Sequence, residues 1–385
     1  MRSPTGANGA YDNRHPRQKV IVRSIVENLI VTAGLPISIV ESDGFRKFLN
    51  DVDPQLQPPC RKTVTHKHLP QLLDAKRAAI SEHLSSADNI ALTLDIWTDR
   101  RQHSYLAITA HTFDILLGRP NSVLVLFRTF KGSHTGVSIA DAIEQCISEY
   151  SMQEKVHYII TDNASNMRKA LSLIFAPGPR GNIESWLQTA TAQAGTDSLL
   201  CTEDSDSMLD DATLYEDTPS EDVEHALVGE RLACFAHSLQ LTVRDGLQKT
   251  AVSRTAVAKC CKIASMVHQS ANFKSSFEDT FGNGRSVPTS NDTRWNSVWR
   301  QISCIVGLDS AKLNELLRKE NHTALILTNK ETQQLRELTD ILQPFAEATD
   351  LSQGDTYVTI SYVVPLLMAL QHKLQSQLAT VRFHQ

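Results

Sequence analysis

Residues 89–130 read NIALTLDIWTDRRQHSYLAITAHTFDILLGRPNSVLVLFRTF, and the fold turns on them. Three runs rich in β-branched and aromatic residues follow one another: Asn89–Trp97, Ser104–Phe113 and Asn121–Phe130. Within the second, Tyr105, Ala107, Thr109, His111 and Phe113 alternate with Leu106, Ile108, Ala110 and Thr112, the period of two expected of a strand. Short polar connections carry Arg100, Arg101 and Gly118-Arg119-Pro120. Three strands so joined predict an antiparallel meander. A helical pattern follows at 136–150, then a fourth strand at 155–161 (KVHYIIT). Asp162 ends that strand and opens a further helix. The crossover from strand three to strand four should be right-handed and lay the fourth parallel to a neighbour. If it docks beside the first strand, Asp95 and Asp162 meet.

Those two acids are the chemistry-bearing candidates. Asp95 sits between Leu94 and Ile96, where a carboxylate needs a partner if it is buried. Asp162 alone also fits a helix N-cap. Together, 67 residues apart on strands expected to be neighbours, they suit Mg²⁺ or Mn²⁺, hard ions that prefer oxygen. Carboxylates within about 4–8 Å of each other would bridge one or two such ions. Asp99, past the expected strand end, reads as a turn residue.

Outward from this core the chain changes character. Residues 1–18 read as a polar, disordered tail. Residues 19–88 read as a helical region, with helices near 19–32, 41–49 and 63–85. The third is cationic in its first half: Arg61, Lys62, His66, Lys67, His68, Lys76 and Arg77 fit either a solvated face or a phosphate-contacting one. Residues 89–249 form the α/β core. It is interrupted at 177–230 by a stretch that reads as a flexible acidic loop. Residues 181–230 hold 13 acidic groups and no Lys or Arg, while the rest of the chain holds 38 basic and 30 acidic groups. The overall charge of −5 therefore hides a mildly basic remainder that permits nucleic-acid binding. A strand-like RLACFA at 231–236 resumes the core, and helical periodicity then dominates 250–385.

Composition excludes several classes. With 41% hydrophobic residues over 385 positions the chain can bury real cores. No run approaches the roughly 18 apolar residues of a membrane span, and no apolar leader is visible at the start. Seven scattered cysteines, at 60, 146, 201, 234, 260, 261 and 304, do not form a disulfide framework and point to a reduced intracellular setting.

Four segments carry a resemblance: Thr93–Asp99 (TLDIWTD), Ile160–Met167 (ITDNASNM), Cys234–Leu241 (CFAHSLQL) and Asp292–Ser297 (DTRWNS). With Leu35–Phe45 (LPISIVESDGF) and Tyr357–Ser361 (YVTIS), they resemble hAT-superfamily DNA transposases, and most closely the zinc finger BED domain-containing proteins related to them. The resemblance implies an α/β fold with an RNase H-like mixed sheet, a helical N-terminal part and an all-α insertion domain at 250–385, which looks incomplete here. It implies that Asp95 and Asp162 match the first two acids of an Asp-Asp-Glu triad holding Mg²⁺ or Mn²⁺. Cys234 and His237 match a Cys-x-x-His element, and Arg294 and Trp295 an Arg-Trp pair whose indole stacks on a base. These four residues are the DNA-contacting candidates. Structural roles fit them too: Cys234 as a small buried group, His237 as a helix-start side chain, Trp295 and Trp299 as core one helical turn apart. No third acid is nominated, because Glu337, Glu347, Asp350 and Asp355 lie in the wrong context. The family's Glu and dimerisation region, through which it could form homo-oligomers, would lie beyond Gln385. No BED finger is present, so zinc is not supported. The expected function is that of a nuclear, transposase-derived DNA-binding protein, not catalytically competent as this chain, with transcriptional regulation as a role. The alternatives are an active metal-dependent transposase lacking its C-terminal part, a protein-interaction scaffold, or a truncated gene model.

Overall fold

The computed structural model describes residues 9–175, 229–249, 253–289, 295–354 and 357–383. The acidic stretch expected at 177–230 lies outside the described residues except for its last two. Contacts divide the chain between Asp88 and Asn89 into two compact units.

The first unit is helical. Helix α1 spans Pro16–Ser24, with Pro16 in the first turn, where its missing N–H costs nothing. It therefore starts inside the stretch read from sequence as a disordered tail. Gln18 is 3% exposed and hydrogen-bonds the backbone of Gln57 in both directions, which ties this start down. From Ile25 to Thr32 the helix widens to a π-helical turn, closed by Ala33 N–H donating to Asn28 O at 2.9 Å. The widening rotates the apolar stripe. Ile25, Val26 and Ile30 enter the core with Val40, Leu49 and Val64, while Val20 faces solvent. Helix α2 is Asp43–Val52; Leu49 points inward and Phe48 is exposed. A continuous helical run, Arg61–Thr63, Val64–His68 and Leu69–Ser86, forms α3. Arg61, Lys62, His66, Lys67, Lys76 and Arg77 are all exposed on it, and His68 is half-buried.

The second unit contains the sheet: β1 Ile90–Thr98, β2 Ser104–Asp114, β3 Arg119–Thr129, β4 Val156–Thr161 and β5 Glu230–Ala233, in the order β3-β2-β1-β4-β5. β1–β2 and β2–β3 pair antiparallel; β1–β4 and β4–β5 pair parallel. The meander and the docking of the fourth strand beside the first are those expected from the alternation, and the architecture is the mixed α/β one. Helix α4 (Gly136–Glu149) makes the crossover, and α5 (Ser165–Ile174) follows β4. A Cβ at Gly136 would lie 2.8 Å from Lys169 Cγ and 3.1 Å from Ala170 N. Glycine is what lets α4 and α5 approach so closely.

Register sorts the sheet into two faces. On one, Leu92, Leu94, Leu106, Ile108, Ala110 and Ile159 are buried, and Arg128 reaches Gln145 of α4 at 3.1 Å. On the other, Asp95, Trp97 and Phe127 are exposed, while Tyr105 is half-buried.

After β5 the unit is helical: α6 Phe235–Lys249, α7 Arg254–Gln269, α8 Ala271–Phe281, α9 Trp295–Val306, α10 Ser310–Lys319, α11 Asn329–Ser352 and α12 Val363–Leu378. They share one apolar core that includes Leu239 and Val243 of α6, Ile263, Phe277, Leu317 and Leu335. Helix α11 starts with a capping box, Thr328 with Glu331, and Lys259 of α7 pairs with Glu331 at 2.8 Å. Burial opposes ionisation of Glu331, but the Lys259 and Thr328 hydrogen bonds outweigh it and hold its carboxyl below the usual range. Its contribution to stability is thus present at neutral pH and is lost as pH falls through the lowered value.

All six described cysteines are free thiols. Burial pushes Cys146 and Cys260 up to about 12. Exposed Cys60 accepts hydrogen-bonding from Thr63 at the start of α3, which holds its thiol below the ordinary value. Since the thiolate is the reacting form, brief alkylation of the native protein should label Cys60 first and leave Cys146 and Cys260 unmodified. Peptide mass spectrometry reads the order; early labelling of Cys146 would contradict the packing described.

Candidate functional site

The site is built by the ladder of the three parallel strands. Thr93 pairs with Ile160, and Ile160 pairs with Leu232. Asp95 stands two residues beyond Thr93 on β1, Asp162 one residue past β4 and Cys234 one residue past β5, so all three lie towards the same end of the parallel strands. Apolar Leu94 and Ile96 fix Asp95 by turning inward, so its carboxylate faces out. The structure leaves Asp95 exposed rather than buried, which removes the desolvation cost feared from its flanks.

Asp162 lies just past β4 and is half-buried. It is not a helix cap. Helix α5 has Ala164 at its N-cap, without a side-chain cap bond, and Asp162 Oδ1 instead accepts from Ala164 N–H at 3.2 Å. That is a local turn, in which an aspartate bonds the backbone two residues on.

The feature that sequence reading missed is Arg231 of β5. Its guanidinium donates to Thr161 Oγ1 at 2.9 Å, to Asn163 Oδ1 at 2.8 Å and to the backbone carbonyl of Asp162. One planar fork thus clamps three consecutive residues at the end of β4. The available signal was an arginine followed directly by the apolar Leu232 and Ala233 in a short strand.

Cys234 N–H donates to Thr161 O at 2.8 Å, extending the β4–β5 ladder by one rung. Its carbonyl accepts from Ser238 N–H at 3.0 Å, which starts α6. His237 lies in the first turn of that helix, and both side chains are half-buried. The Cys-x-x-His element therefore stands beside Asp162. Trp295 is the first residue of α9. Its ring is 8% exposed and belongs to the helical core, and Trp299 donates from its indole to Thr339 O at 3.2 Å. Both indoles therefore have structural roles. Arg294 lies outside the described residues.

The donor set suits an oxygen-seeking ion. Two carboxylates at the same end of neighbouring strands would offer the protein ligands that Mg²⁺ commonly takes, with water and phosphate oxygens completing the shell. Among the described residues no group of three His, Cys, Asp or Glu converges on one point. An ion here would accordingly take the rest of its ligands from water and from a bound phosphate.

A family model described as the ZBED1 RNase-like domain matches residues 93–176, the segment running from β1 to just past α5. "Zinc finger BED domain-containing protein 4" of Homo sapiens is 22% identical over 373 residues, 95% of this chain and 27% of that protein. "Putative AC transposase" of Zea mays is 21% identical over 336 residues, 86% of this chain and 36% of that protein. "Putative transcriptional regulator tpeD" of Talaromyces stipitatus is 28% identical over 164 residues, 42% of this chain and 19% of that protein. The chain thus spans between 19% and 36% of the length of these relatives.

Proposed function

Since this chain is a relative of the hAT transposases and of the BED-type proteins derived from them, we propose that it is a nuclear DNA-binding protein that regulates transcription with a transposase's fold. The observation that supports the reading is the parallel pairing of β1 with β4 in an RNase-like sheet, which puts the strands that lead to Asp95 and Asp162 side by side. In this reading the rim receives a DNA phosphate. Asp95 and Asp162 would hold a Mg²⁺ or Mn²⁺ ion between themselves and that phosphate. When bound, the ion would neutralise the carboxylates and polarise a phosphate oxygen. Arg231 keeps Asp162 in place by bonding its backbone carbonyl and the side chains of Thr161 and Asn163 on either side of it. A regulatory role is supported by the regulator among the relatives, and a nuclear site follows from a DNA partner. None of the described helices is long and apolar enough to cross a membrane.

The test is duplex DNA affinity measured across a salt series, with and without Mg²⁺. Log affinity should fall linearly with log salt, by about 0.9 for each phosphate neutralised. Mg²⁺ should tighten binding by the wild-type chain and not by the Asp95→Asn variant. A flat salt plot removes the DNA reading, and an equal Mg²⁺ response in the variant removes the carboxylate rim from it.

A further inference from the structure

The exposed face of the sheet carries a group of rings that the carboxylate rim does not use. Trp97 on β1 pairs directly with Tyr105 on β2. Asp95 pairs with Ala107, and Ala107 pairs with Phe127 on β3. All five residues share a face, and the small Ala107 leaves room for the rings on either side to meet. Ring centroids lie 5.7 Å apart for Trp97–Tyr105, 5.8 Å for Tyr105–Phe127 and 5.9 Å for Trp97–Phe127. Tyr105 and Phe127 stack with nearly parallel planes, 10° apart, and Trp97 stacks on Tyr105 with 26° between their planes.

This patch is open to solvent. Trp97 is 39% exposed and Phe127 56%. It is also held rigid. Tyr105 Oη donates to Asp99 Oδ2 at 3.4 Å. Asp99 in turn accepts from His103 N–H and Arg101 N–H, both at 2.8 Å. These bonds, the one from His103 foremost, hold its carboxyl below the usual range. The same turn, between Trp97 near the end of β1 and Tyr105 near the start of β2, carries Arg100 and Arg101, both exposed.

We propose that Trp97, Tyr105 and Phe127 form a stacking platform for unpaired bases of a DNA strand, with Arg100 and Arg101 on its phosphates. The inference rests on the DNA reading above and names the form of DNA that the site takes. Three features favour this occupant over an apolar helix of another protein. The rings are broad and clustered, with Trp97 and Phe127 exposed, and bases stack on aromatic rings whatever their sequence. The turn that joins β1 to β2 carries two exposed arginines, a charge match to a phosphate backbone. Asp95 stands two residues from Trp97 on the same face, about 7 Å along the strand. A strand lying on the rings would therefore reach the carboxylate rim within about one nucleotide. Paired bases inside a duplex have their faces covered and cannot use the platform, so it selects frayed, flipped or single-stranded ends.

The experiment compares a blunt DNA duplex with the same duplex carrying a short single-stranded tail, both fluorescently labelled, against the full chain. Wild type should bind the tailed probe roughly tenfold more tightly than the blunt one. In Trp97→Ala and in Phe127→Ala the ratio of the two affinities should fall towards one, whereas Trp97→Phe should keep most of it. Unchanged far-UV circular dichroism and melting would show that these exposed positions still sit on a folded sheet. Blunt-duplex binding with no preference for the tail, or a preference that survives Trp97→Ala, overturns the platform while the DNA reading stands. Binding to neither probe overturns both. Loss of the preference in Trp97→Phe as well as in Trp97→Ala would also overturn stacking, because a flat ring remains there.

Discussion

Replacing Arg231 with alanine should destabilise the rim of the sheet by about 2–3 kcal/mol, the range for losing hydrogen bonds to a charged donor. The guanidinium reaches across from β5 to Thr161, Asp162 and Asn163, so its loss strands a side-chain oxygen on each flank and a carbonyl between them. Thr161 is 1% exposed and cannot turn to water for a replacement. Lysine should rescue little, since an ammonium lacks the planar fork that serves three acceptors at once. Urea unfolding of the second unit gives the magnitude. Hydrogen exchange gives the location: the amides of Ala164 and Cys234, bonded to Asp162 and Thr161 respectively, should lose protection before those of β2 and β3. The same variant should weaken any Mg²⁺-dependent DNA binding, because Asp162 loses its fixed position without losing its charge. An Arg231→Ala protein with wild-type stability and wild-type exchange at Ala164 would show that the clamp is incidental.

The strands were legible because their signals are local. Alternation at 104–113 and the β-branched runs on either side of it place three strands to within two residues of where they lie. The turn from β4 into α5 placed Asp162, and the fourth strand had only two edges of the meander to join. What was not legible depends on register. Trp97, Tyr105 and Phe127 are scattered over 31 positions, and only the pairings of three strands bring their rings together. Arg231 is 69 residues from Asp162, across a stretch with no strand signal. Asp162 and Ala164 show a second limit. An aspartate before a helix reads as a cap, but capping depends on the backbone angle at one residue, and the helix starts three residues later. Trp295 shows a third. A tryptophan beside an arginine matches a stacking motif, yet an indole at the start of an amphipathic helix is also a large apolar surface to bury, and here it is buried.

The helical region makes the other large effect available. Phe277→Ala should cost about 3–5 kcal/mol, because a fully buried phenyl leaves a cavity that its neighbours fill only in part. Phe277 on α8 is 0% exposed and lies 4.9 Å from the ring of Phe281. The spatial pattern of the loss is as informative as its size. Helix α6 donates Leu239 and Val243 to the same apolar core, and α6 begins directly after β5. A cavity at Phe277 therefore loosens the support of the strand that carries Arg231. Hydrogen exchange should quicken first across α7 to α11, then in α6 and β5, and last in β2 and β3. Leu92→Ala is the counterpart: Leu92 is 0% exposed in the central strand, and its truncation should cost about 2–5 kcal/mol. There the order should reverse, with β1, β2 and β4 losing protection before the helices. Simultaneous loss of protection throughout the second unit in both variants would mean that sheet and helices unfold as one cooperative body. The rim would then depend on the helical core for its existence, rather than only for the position of β5.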